Sequence, residues 1–211
     1  MTVKRQSLLR FPGVTSLRER KKAKTRHDLM VAALRLYADR GFAETTVEEI
    51  AEDAGVSART FFRYYPTKVD AVFGEHPERL AALRDALGDD SGGVPLAERV
   101  FALFLRFARE FERDRELFLV RARLFATEPA VRNHWLELLD TVETRIAEAA
   151  AGGRPDAAEL HRARLVAALL TSVLRSAALT WGTSEGKASL TGMLERGFAA
   201  VRPALEALRR E

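Results

Sequence analysis

Residues 45–68 read TTVEEIAEDAGVSARTFFRYYPTK, and the caps, apolar positions and breakers in this stretch set the reading of the whole chain. Thr46 and Glu49 have the Thr-x-x-Glu spacing of a capping box, in which each side chain satisfies a backbone donor that a helix start leaves unpaired. Val47, Ile50, Ala51 and Ala54 fall at i, i+3, i+4 and i+7, so a helix over Val47–Ala54 has one apolar face. Gly55 stops it, because a left-handed backbone costs glycine nothing. Ser57 then caps a helix over Ala58–Tyr65, which Pro66 ends. Two short helices joined by a tight glycine turn describe a helix-turn-helix, whose second helix enters the DNA major groove.

That second helix holds four aromatics, two arginines and two hydroxyls in residues 57–65. Phe61 and Tyr65, at i and i+4, supply an inward face and leave Arg59, Thr60, Arg63 and Tyr64 turned outward. Arginine reads guanine edges in the major groove, and hydroxyls and tyrosines commonly hold phosphates. A surface helix with incidental arginines is the plain alternative, and the flanks decide between them. Upstream, a helix over Arg20–Arg40 carries the stripe Leu29, Ala33, Leu36 and Tyr37. Gly41 ends that helix, and Phe42 folds back onto the stripe. Downstream, Thr67 and Asp70 repeat the cap spacing and start a fourth helix, which Pro77 is expected to break or kink.

The full pattern is Ala33-x-x-Leu36-Tyr37-x-x-x-Gly41-Phe42-x-x-Thr45-Thr46-Val47-x-x-Ile50-Ala51-x-x-Ala54-Gly55-Val56-Ser57-x-x-Thr60-Phe61-Phe62-x-Tyr64-Tyr65-x-x-Lys68. It closely resembles the DNA-binding domain of the TetR family of regulators over residues 23–73. The resemblance implies an all-α homodimer, with an N-terminal three-helix domain on double-stranded operator DNA and a larger C-terminal ligand-binding and dimerisation domain. It also implies a small-molecule effector that changes the separation of the two recognition helices and releases the operator. By the same resemblance Thr46 contacts a phosphate, Ala58, Arg59, Thr60, Arg63 and Tyr64 lie at the DNA, and Lys68 is a phosphate-binding lysine. Two positions depart from the commonest pattern. Arg59 replaces a frequent glycine, and Phe62 replaces a tyrosine that often supplies a phosphate-contacting hydroxyl, which puts a DNA role for Phe62 in doubt. Specificity is therefore assigned to Arg59 and Arg63, which share a helix face.

Charge agrees with this placement. Residues 1–27 hold nine Lys or Arg against one acid, Glu19. Residues 1–73 net +5 and residues 74–211 net −1, within a chain of net +4. A basic arm over residues 1–19 suits a polyanion-binding module, since phosphate neutralisation supplies most non-specific affinity; a solubilising tail has the same composition. Met1–Arg10 shows no secretory start. The apolar runs are read as too short for a membrane span, and no membrane partner is expected. The chain contains no cysteine, which excludes disulfides and thiolate chemistry and fits a reducing cytoplasm.

Beyond residue 73 the domain is read on physics alone, as residues 74–211. Residues 88–94 (GDDSGGV) form a connector, since no Gly-Lys-Ser/Thr follows to make a phosphate loop. Helices are expected at Pro95–Arg113, Arg115–Thr127, Ala130–Ala151, Asp156–Thr183 and Leu190–Arg209, for nine or ten in all. Six of the twelve phenylalanines lie between Phe101 and Phe125. Phe101, Phe104, Leu105, Phe118 and Phe125 are expected to line an apolar ligand cavity, with Arg121 facing an acidic ligand group or a structural partner. Leu169, Val173, Leu190, Leu194, Phe198 and Val201 are assigned to a dimer interface of two helices from each subunit, which would set two recognition helices on a palindromic site. Packing within one chain is the alternative.

An enzyme is the main rival class. His27, His76, His134 and His161 are scattered without metal-ligand spacing, and no Ser-centred elbow or phosphate loop occurs. No catalytic residue, metal or cofactor is assigned. An activator, or a DNA-binding protein of the same fold without a ligand switch, remains a second rival that sequence does not separate from a repressor.

Overall fold

The computed structural model describes residues 17–74, 76–88, 93–185 and 187–210. Most of the basic arm and residues 89–92 of the connector lie outside them. Ten helices occur among the described residues, and no strand: α1 (Leu17–Arg40), α2 (Val47–Asp53), α3 (Ala58–Tyr64), α4 (Lys68–Val72), α5 (His76–Gly88), α6 (Leu96–Arg113), α7 (Arg115–Thr127), α8 (Pro129–Ala151), α9 (Ala157–Thr183) and α10 (Leu190–Arg210). α1 starts three residues earlier than expected, so part of the arm is helix. Pro77 does not kink α4. It sits at the second residue of α5, where a missing N–H costs nothing.

The N-terminal helices pack as α1 on α2, α1 on α4 and α2 on α3. Leu29, Ala33, Leu36 and Tyr37 are buried as expected, and Met30, Ala32 and Leu34 are buried too. The stripe widens because α7 also packs on α1. Leu124 of α7 and Val131 of α8 belong to this same core, with Leu117 and Val120 packed against it. The division at residue 73 is therefore one of chain and not of hydrophobic core.

The larger core gathers α5, α6, α8, α9 and α10. Its helix ends are closed by side chains from other helices. Arg99 Nε donates to Ala86 O at 2.9 Å, satisfying a carbonyl that the end of α5 leaves unpaired. Glu112 accepts from the Thr191 backbone N–H at 3.1 Å, doing the same for the first turn of α10. Thr171, buried in α9, donates its hydroxyl to Glu143 Oε2 at 2.6 Å. Against the expectation from its apolar runs, α9 is long and apolar enough to cross a membrane by length and composition, with a window of mean hydropathy 1.4. α8 and α10 pack along it, and Ala163, Ala167, Leu170, Val173, Ala177 and Trp181 are buried there. An apolar, centrally packed helix of a bundle has that composition.

Candidate DNA-reading helix and ligand cavity

The caps around α3 form as their spacing predicts. Thr46 Oγ1 accepts from Glu49 N at 3.2 Å, and Glu49 Oε2 accepts from Thr46 N at 2.9 Å. The bond from the Thr46 backbone N–H, and then the one its hydroxyl donates, hold the Glu49 carboxyl below its ordinary pKa. Gly55 adopts φ +69°, and Ser57 Oγ accepts from Thr60 N at 3.2 Å. Phe61 and Tyr65 are buried, their rings 5.6 Å apart. With that face pinned, Arg59 and Arg63 are exposed, while Ala58, Thr60 and Tyr64 are half-buried. Arg63 lies over the Tyr64 ring at 5.2 Å. Phe62 is 53% exposed, so its ring projects from the same helix as the two arginines.

Thr46 is exposed and its hydroxyl also donates to Glu49 Oε2 at 3.1 Å. Lys68 is placed differently from a free phosphate ligand. Its Nζ donates to Phe42 O at 2.8 Å, Thr45 O at 3.1 Å and Ala43 O at 3.2 Å. An ammonium has three donors, and these carbonyls take them all. The Tyr37 hydroxyl donates to Lys68 O at 2.8 Å, and burial raises that phenol's pKa above its ordinary value. The N-terminal end of α4 is thus fastened to α1 and to the α1–α2 turn.

Among the larger helices lies a cavity of about 450 Å³, within the usual range for small-molecule sites. Phe104, Phe118, Arg121 and Phe125 are among its lining residues. Phe101 and Leu105 are not: Phe101 stacks on Phe198 of α10, ring centroids 3.9 Å apart, because it projects from α6 toward α10, away from the cavity. Phe107 and Phe111, of the same phenylalanine set, line it too, whereas sequence reasoning missed His76, Arg79, Arg132 and Trp135. The two phenylalanines continue the α6 apolar stripe one and two turns past Phe104. The others come from α5 and α8, which nothing local connects to α6. Among the described residues the lining includes Arg79, Arg121, Arg123 and Arg132 and no carboxylate. Arg79 is held over the Phe111 ring at 4.3 Å. Burial, then the Arg79 charge, lowers the His76 pKa to about 4, so this imidazole is neutral at pH 7.

The proposed dimer residues need correction. Val173, Leu190, Leu194 and Phe198 are buried in the protomer's own core, and Leu169 and Val201 pack against it. The large apolar side chains that α9 exposes are Leu165 and Leu179.

Residues 29–72 match the family described as bacterial regulatory proteins, tetR family. Residues 94–206, more than half of the chain, match the MftR C-terminal domain of the same family. The chain belongs to the TetR family. It is a DNA-binding transcriptional regulator with an N-terminal helix-turn-helix. It is 27% identical over 193 residues to the putative mycofactocin biosynthesis transcriptional regulator MftR of Mycobacterium tuberculosis, covering 90% of this chain and 95% of that one. It is 29% identical over 197 residues to the transcriptional repressor KstR of Mycolicibacterium smegmatis, covering 90% and 89%. Among solved structures, Thermus thermophilus FadR, a TetR-family repressor in complex with lauroyl-CoA, aligns with TM-score 0.51 and 28% identity, covering 82% of this chain and 91% of that one.

Proposed function

We propose that this TetR-family regulator is a cytoplasmic, homodimeric repressor that holds a palindromic operator through α3 and leaves it when an amphiphilic small molecule enters the cavity. One observation carries the reading: a cavity of about 450 Å³ with phenylalanine walls and four arginines among its described lining residues. Apolar walls take a hydrophobic body, and guanidinium groups take an anionic or strongly accepting group through charge-assisted hydrogen bonds. An acyl thioester has both parts, and the FadR relative is bound to one. KstR and FadR are both described as repressors, which favours repression over activation.

At the DNA, Arg59 and Arg63 read base edges, while Thr46, Ala58, Thr60 and Tyr64 contact the backbone. Lys68 acts by holding the α1–α2 turn in place. The dimer face is the outward side of α9, where Leu165, Ser172 and Leu179 recur every seven residues and are exposed. The test uses a fluorescent duplex selected by the protein from a random pool. Lauroyl-CoA, lauric acid and triclosan are then added in turn while anisotropy is read. Release by lauroyl-CoA, with two chains bound per selected palindrome, is the expected result. A duplex whose affinity none of the three compounds changes would overturn the ligand-gated part.

A further inference from the structure

α1 extends past the domain it belongs to. Its packed part begins near Arg26: the Tyr65 hydroxyl lies 2.9 Å from Arg26 O, the Arg26 side chain pairs with Glu78 of α5, and the buried face starts at Leu29. N-terminal to that joint, the side-chain bonds of Lys24 to Asp28 and of Thr25 to Lys21 O stay inside the helix. Leu17, Arg18, Arg20, Lys21, Lys22 and Lys24 are exposed. At about 1.5 Å per residue, residues 17–25 carry the helix about 14 Å beyond Arg26.

The charge on this overhang has the wrong sign for its place in a helix. Residues 17–26 hold six Lys or Arg against one acid, Glu19. A helix N-terminus carries partial positive charge, so cations in its first turns are unfavourable. Arg18 and Lys22, four residues apart, also repel each other. Lys24 and Arg26 are offset by Asp28 and Glu78, but those pairs lie at the joint. The buried face begins only at Leu29, so packing does not offset the repulsion in the first turns. A solubilising segment needs neither a helix nor this register. A bound polyanion removes the repulsion, because its phosphates neutralise the cations and release their own counterions.

The side of α1 that bears the cations points to the DNA. Arg18, Lys22 and Arg26 recur every four residues and form one row on the helix surface. At the packed end of that row, the Arg26 guanidinium lies 5.8 Å from the centroid of the Tyr64 ring. Arg63, exposed on α3, lies 5.2 Å from the same ring. The row therefore starts at the last turn of the recognition helix and runs on past it. Arg20 and Lys24 recur at the same spacing on the opposite side of α1, since each residue advances the helix by about 100°. We propose that Arg18 and Lys22 hold backbone phosphates of the DNA beyond the C-terminal end of α3, and that the first turns of α1 are stabilised by the DNA they bind. The contact does not depend on any ligand of the cavity.

The experiment compares three variants of the full chain with wild type. Arg18→Gln with Lys22→Gln removes the row, and Arg20→Gln with Lys24→Gln removes the same charge from the opposite side. Arg18→Lys with Lys22→Arg keeps the charge. Anisotropy is read on the selected duplex, extended at each end by one helical turn of about 10 base pairs, between about 0.05 and 0.2 M salt. Each neutralised phosphate contributes about 0.9 to the slope of log affinity on log salt, so losing the row should lower the slope by about two and the affinity about 10–100-fold at 0.1 M salt. Base preference should stay as in wild type, because phosphate contacts carry no sequence information. The opposite-side and charge-keeping variants should keep the wild-type slope, and thermal midpoints should agree throughout. In wild type, backbone amides of residues 18–25 should exchange more slowly once the duplex is bound. An equal fall in slope for both glutamine pairs would reduce the effect to diffuse charge and overturn the seated row. A wild-type slope without Arg18 and Lys22 overturns the contact itself, and an altered base preference overturns its assignment to the backbone. Amide exchange that the duplex leaves unchanged overturns the stabilisation of α1 by DNA.

Discussion

Arg59 and Arg63 extend from α3 because Phe61 and Tyr65 are anchored beneath them, and this division of labour gives each residue a distinct expected phenotype. Replacing Arg63 with Ala should cost about 1–3 kcal/mol of operator affinity and relax preference at one base pair. A selected-site profile identical to wild type would show that Arg63 reads nothing. Lys68 should behave otherwise. Its ammonium serves three carbonyls, so Lys68→Met is expected to lower folding stability by about 1.5–3 kcal/mol, the range for hydrogen bonds to charged groups. The salt dependence of DNA binding should keep its wild-type slope in that variant, whereas a phosphate contact would reduce it by about one. Phe62 acquires a role from its 53% exposure. An aromatic ring on a recognition helix suits a thymine methyl, so Phe62→Ala should lose preference for thymine at one operator position without loss of stability.

At the scale of elements, the α2–α3 unit depends on a turn and a wedge. Gly55 sits at φ +69° with open space around its Cα, so Gly55→Ala is penalised by backbone conformation alone, about 1–2 kcal/mol. Phe61 is fully buried, and Phe61→Ala should destabilise the fold by about 3–5 kcal/mol; chemical denaturation measures both. Gly74, between α4 and α5, is a case of close approach instead. A Cβ there would overlap the Tyr65 hydroxyl and lie 2.8 Å from Met30 Cβ. The α2–α3 caps were legible in sequence because they join residues three apart. The α4–α5 break was only partly legible: Pro77 signals a discontinuity, but the chain turns at Phe73 and Gly74, where Tyr65 and Met30 crowd the backbone.

For the whole molecule, His76 lies where α5 meets the cavity, and its pKa falls from 6.5 to about 4 on folding. Between those values the unfolded chain binds more protons, so the stability associated with neutral His76 is complete above about pH 6.5 and declines as pH falls toward 4. Unfolding midpoints across that window should flatten in His76→Phe; an unchanged slope would assign the loss to other groups. The helical class, the helix-turn-helix and the boundaries of most helices were determined by sequence, since capping, glycine stops and 3.6-residue periodicity act within a few residues. Only tertiary packing decided which apolar faces meet. The Leu190, Leu194 and Phe198 face reads equally well as a dimer seam or a protomer core, because periodicity records that a face is covered and not what covers it. The same limit hid Arg79 and His76, which approach Phe104 and Phe118 across helices distant in sequence.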